Sequence, residues 1–139
     1  LKKMAAGAST VAACTAFITA LGIGTASAAP QSFSESSAAH GYTNGSIEFY
    51  NRSVLITGTV KSNTTGCVRV AFTIPDPTPA PDVYETRTAC GRGTGTSKGF
   101  EFTAPANFPG GAAWVKVQLG IVGDNGLVSD WVDGDIYYP

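Results

Sequence analysis

From Ile47 onward, apolar residues recur at every second position in short runs. Val68, Val70, Phe72 and Ile74 alternate with Arg69 and Thr73; Val115, Val117, Leu119 and Ile121 alternate with Lys116 and Gln118; Phe100 and Phe102 flank Glu101. A period of two places each apolar set on one face of a strand and its polar partners on the other. No stretch carries a 3.6-residue period. The pattern predicts strands over about Ser46–Asn51, Val54–Ser62, Cys67–Ile74, Val83–Cys90, Gly99–Ala104, Ala112–Val122, Leu127–Val132 and a short Asp135–Tyr138. Turn signals recur about every ten residues, so the expected fold is all-β: a small antiparallel β-sandwich, Ig-like or Greek-key, of about seven to eight strands.

Two connections stand out. Asp124-Asn125-Gly126 supplies residues that tolerate positive φ and predicts a tight hairpin with a firm register. Pro75, Pro77, Pro79 and Pro81 alternate with Asp76, Thr78, Ala80 and Asp82. Proline at every second position removes amide donors, so no strand can run through it, and an extended, polyproline-like loop is expected.

Lys2 and Lys3 precede an apolar, Ala-rich stretch, and Ala26-Ser27-Ala28 fits the small-residue cleavage pattern. Residues 1–28 therefore predict a cleavable signal peptide of the bacterial kind, and a secreted, extracellular product with no membrane attachment after cleavage. Residues 29–45, rich in Ser, Ala and Gly, are expected to be a loose N-terminal segment containing His40, with the sandwich domain over 46–139.

Cys14 would leave with the leader, which pairs Cys67 with Cys90 in an oxidising compartment and predicts a structural disulfide. Charged residues make up only 14% of the chain, and of the 9 basic residues two leave with the leader, so the 10 acidic ones dominate. No Lys/Arg cluster is present, which argues against nucleic acid and anionic membrane as partners.

Candidate chemistry is sparse. Asp124, Asp130, Asp133 and Asp135 are dense enough to make a weak Ca²⁺ candidate, but their spacing is not that of an EF-hand, and no cofactor is expected. Gly91, Gly93, Gly95 and Gly99 follow no phosphate-binding order and read as a flexible connection. Glu48, Glu85 and Glu101 fall on predicted polar strand faces, where spacing does not pair them for hydrolysis. Trp114 alternates with Val115 and Val117, on the side of Lys116 and Gln118, and is a candidate exposed stacking surface.

These residues lead to the expectation of a non-enzymatic extracellular protein acting by surface recognition, with a hydrolase inhibitor working through loop 75–82 as one form of it. Asp76, Pro77, Pro79, Pro81 and Tyr84 would be the contact, joined by Trp114. The alternatives are a carbohydrate-binding module using exposed aromatics and a small carboxylate-dependent hydrolase. The partner is thus an extracellular protein or polysaccharide.

Overall fold

A computed structural model describes residues 29–92 and 96–139. Eight strands and no helix occupy them: β1 Gln31–Ser37, β2 Gly41–Phe49, β3 Ser53–Ser62, β4 Cys67–Ile74, β5 Val83–Cys90, β6 Ser97–Pro105, β7 Val115–Val122 and β8 Val128–Tyr137. They form two antiparallel four-stranded sheets, β1-β2-β3-β6 and β5-β4-β7-β8. The chain changes sheet between β3 and β4, β5 and β6, and β6 and β7. The order β2-β3-β6 facing β5-β4-β7-β8 is a Greek-key, Ig-like arrangement, with β1 added beside β2.

The core is the layer between the sheets. Val68, Val70, Phe72 and Ile74 of β4 and Val115, Val117 and Leu119 of β7 are buried there against Ile47, Phe49, Val54, Ile56 and Val60 of the first sheet. Phe72 is the hub, with the rings of Phe33, Phe100 and Phe102 at 5.5, 5.6 and 5.5 Å, all edge-on. Gly45 and Gly58, paired across β2 and β3, make room for those rings. A Cβ at Gly45 would stand 2.7 Å from Phe33 Cζ, and one at Gly58 would stand 2.9 Å from Phe100 Cζ.

Residues 29–45 are not loose, contrary to expectation: β1 and the start of β2 lie within them, in register from Gln31↔Ile47 to Ser37↔Gly41. Their inward positions include Phe33, Glu35, Gly41, Thr43 and Gly45, so the alternation is real but carried by one aromatic and by residues that do not read as core. Each inward polar group is satisfied. Thr43 Oγ1 donates to the Thr59 carbonyl at 2.9 Å, and Glu35 Oε1 accepts the Asp135 amide at 3.1 Å. His40 sits in the β1–β2 turn and shares a 3.0 Å hydrogen bond with Ser37 Oγ. The predicted signal peptide, 1–28, lies outside the described residues, as do Gly93 and Gly95 of the glycine-rich connection.

Two further boundaries differ. Strand β7 begins at Val115 and not Ala112, because Gly110 and Gly111, at φ +88° and +72°, hold the preceding chain in a turn. The two expected C-terminal strands are one, β8, in which bulges interrupt the pairing with β7. Gly134 reads as a break, yet it is the residue a bulge needs: a Cβ there would meet the Val117 carbonyl and Gln118 Cγ.

Both open sides of the sandwich are closed by inward-facing charge. On the β5/β6 side, Arg87 lies 4.3 Å over the Phe102 ring and pairs with Glu85 at 3.2 Å. Glu85 therefore faces inward at a rim, not outward on a polar face as its spacing implied. On the β1/β8 side, Glu35 is buried beside Asp135 and Tyr137.

Candidate recognition surface

The registers define straight rows across the outer face of the second sheet. Thr73 pairs with Tyr84 on one side and Lys116 on the other, and Lys116 pairs with Ile136, so Tyr84, Thr73, Lys116 and Ile136 form one row. Farther along, Thr88, Arg69, Gly120 and Trp131 form another, next to the Cys67–Cys90 and Val122–Val128 pairs. Cys67 and Cys90 are directly opposed and bonded, with Cα atoms 4.0 Å apart.

The first row runs beside the proline loop, which joins β4 to β5. The loop bends through residues 77–80 instead of extending as a polyproline segment, because side chains near its start and end organise it. Asp76 Oδ1 accepts the Thr78 hydroxyl at 2.6 Å and the Thr78 amide at 2.9 Å. Thr78 Oγ1 accepts the Ala80 amide at 3.1 Å, and Asp82 Oδ1 accepts the Asp76 amide at 3.0 Å. These are local Asx and ST turns. The hydrogen bonds from the Thr78 hydroxyl and then its amide hold the Asp76 carboxyl below the usual range, so the loop keeps its charged acceptor. Pro77, Pro79 and Pro81 are all exposed.

Among the described residues five large apolar side chains are exposed: Tyr84 at 56%, Leu127 at 65%, Trp131 at 37%, Ile136 at 44% and Tyr138 at 60%. Three of them, Tyr84, Ile136 and Tyr138, lie at the end of the sheet that carries the proline loop. Trp114, just ahead of β7, is at the same end but half-buried. Asp76, Pro77, Pro79, Pro81, Tyr84 and Trp114 thus lie at one end of the sheet, the end that also carries Ile136 and Tyr138. Sequence reading passed over these two because the break placed at Gly134 hid their register.

The four aspartates are not gathered. Asp124 is in the hairpin tip, Asp133 is beside a bulge, and Asp130 and Asp135 are five residues apart on an extended strand, a separation on the order of 15 Å. Among the described residues no three His, Cys, Asp or Glu side chains are placed to hold a metal ion. The hairpin itself forms as expected, with Gly126 at φ +81° and its amide donating to the Gly123 carbonyl at 3.0 Å. Its register is less regular, with a shift between Ile121 and Val122.

Among the described residues the buried carboxyl is that of Glu35. Burial raises its pKa above the ordinary carboxylate range, with the Asp135 amide opposing the shift and the Asp135 charge adding to it. Tyr137 is raised for the same reasons, burial first and then the Glu35 charge. Glu35 was invisible to pattern reading because it lies in the Ser-rich segment. Comparison with known protein families, with curated proteins and with solved structures yields no match.

Proposed function

We propose that the protein is a secreted, non-enzymatic recognition module whose contact surface is the proline-loop end of the β5-β4-β7-β8 sheet, and that its partner is an extracellular protein, in the first instance a secreted hydrolase that it inhibits. The observation that carries this reading is the joining of a pre-ordered, exposed loop to a set of exposed aromatic and aliphatic side chains. A loop already held by its own hydrogen bonds loses little entropy on docking. Tyrosines beside it supply large, stiff contact area of the kind that dominates protein interfaces.

The test is inhibition of a panel of proteases and amylases by the protein at micromolar concentration, alongside a variant lacking Pro77 to Pro81. Inhibition of one enzyme class by the intact protein, lost in the variant at unchanged melting temperature, is the expected result. Absence of inhibition across the panel removes the inhibitor reading. A carbohydrate-binding role centred on Trp114 is weakened by the half-burial of that ring. The aromatic ring set over the flat of the sheet is Trp131.

A further inference from the structure

We infer that the row Thr88–Arg69–Gly120–Trp131, at the other end of the same face, is a second binding site, and that it takes the pyranose rings of a neutral polysaccharide. Trp131 lies over Gly120, its cross-strand partner. A Cβ on Gly120 would stand 2.8 Å from Trp131 Cζ3 and 2.9 Å from Cε3, so the indole rests where a side chain would otherwise be. The Cε3–Cζ3 side of the ring is thereby held against the sheet while the residue stays 37% exposed. Register shifts in β8 flank the Trp131 pairing, one between Leu119 and Val117 and one between Ile121 and Val122. Bulges re-aim side chains, and here two of them bracket one tryptophan.

Arg69 is the next outward residue of the row and is also held in place. Its Nε donates to Thr88 Oγ1 at 2.9 Å, and among the described residues its terminal guanidinium nitrogens have no further partner. A fixed fork of N–H donors beside a stacking surface matches the two needs of a sugar ring: an apolar face of C–H groups to stack and a rim of oxygens to accept hydrogen bonds. Across four strands the row spans about 14 Å, room for a chain rather than a single ring. Asp133, exposed, lies two residues beyond Trp131 on β8. Its carboxylate accepts hydrogen bonds from sugar hydroxyls and offsets the Arg69 charge, which suits a neutral glycan.

The competing explanation is structural: a tryptophan that shields a strand glycine, and bulges that blunt an edge strand. Retention of the full-length secreted protein on cellulose, chitin and xylan separates the two, followed by titration with the soluble oligosaccharide of the retaining polymer while indole fluorescence is read. Retention on at least one polymer is expected. Trp131→Ala weakens it about tenfold or more, Arg69→Lys weakens it several-fold at unchanged melting temperature, and Trp114→Ala leaves it unchanged. Wild-type protein that binds none of the three, or binding indifferent to both Trp131→Ala and Arg69→Lys, overturns the assignment. Should Trp131→Ala not fold, Arg69→Lys and protection of the wild-type indoles from acrylamide quenching by saturating oligosaccharide decide the matter. The proline-loop deletion leaves this binding intact, so failure here and failure of hydrolase inhibition are read separately.

Discussion

Across the middle of β1, β2 and β3 the outward positions run Ser32, Ser34 and Ser36, then Asn44 and Ser46, then Thr57 and Thr59, with Tyr42, Glu48, Leu55 and Lys61 half-buried toward the strand ends, whereas the outward positions of the other sheet include Tyr84, Ile136, Trp131 and a disulfide. Both faces look into solvent from the same pleat. The hydroxyl-rich middle of that face shows that this chain can finish much of an antiparallel sheet with small polar groups. Among the described residues the exposed large apolar groups all lie on or beside the second sheet: Trp131 is held over Gly120 near the disulfide at one end, Tyr84 stands next to the proline loop at the other, and Ile136 closes the same row. Fixed, exposed aromatics on one face only are what a recognition surface needs and what a merely solvated face lacks.

The disulfide tests how far the second face depends on its staple. Replacing both Cys67 and Cys90 by alanine removes a cross-link with a sequence separation of 23. The chain-entropy model assigns the loss about 3.4 kcal/mol, a large fraction of the stability of so small a domain. Denaturant unfolding of the double variant measures it. The comparison breaks if the loss is negligible, since the face would then hold its rows without the bond.

Glycines sharpen the contrast at single-atom scale, because each outer face has one. At Gly120 an added Cβ collides with Trp131 and with Val128 Cγ1, whereas at Gly99 its nearest neighbour is the Gly58 carbonyl oxygen at 3.9 Å, an ordinary contact. Gly120→Ala is expected to cost about 1–3 kcal/mol by displacing the indole, with a red shift in its fluorescence. Gly99→Ala is expected to add about 0.4–1 kcal/mol by restricting the unfolded chain. Equal effects of the same sign at the two sites, read by thermal unfolding, would show that nothing rests on Gly120.

The strands that sequence reading placed best, Cys67–Ile74 and Val83–Cys90, are those in which chemistry and pattern agree: alternation in the first, a cysteine and a proline run as boundaries for both. The cysteine pairing followed from compartment and count. The loop residues and Trp114 were legible as candidates because prolines and tryptophan are conspicuous alone, but not that they share one end of a sheet, which is a matter of register. Strand β1 escaped because its inward residues, Phe33 and Glu35, include one charge, and a buried carboxylate declares itself only through a partner 100 residues away. Trp131 was visible as an aromatic, but Gly120 beneath it was not, since cross-strand neighbours are set by bulges that leave no sequence mark of their own.

Glu35 joins the hydroxyl-rich sheet to the edge strand that carries Trp131 and Ile136, and so links the two halves of the comparison to pH. Burial raises its folded pKa above that of the unfolded chain. Between those two values the native state holds more protons than the unfolded state, and stability therefore falls as pH rises through that window and levels off once Glu35 is ionised in both states. Titratable groups facing it from β8 are Asp135, whose charge acts in the same direction, and Tyr137, which stays protonated throughout. Glu35→Gln keeps an oxygen for the Asp135 amide at 3.1 Å and removes the titration. Melting temperatures taken in steps from the ordinary carboxylate range to neutrality are expected to fall for the wild type relative to Glu35→Gln, with the curves closest at the acid end. This is the smallest of the effects, because Glu35 acts through one hydrogen bond. A variant whose pH profile runs parallel to the wild type would show that the closure at this side of the sandwich does not depend on the ionisation of Glu35.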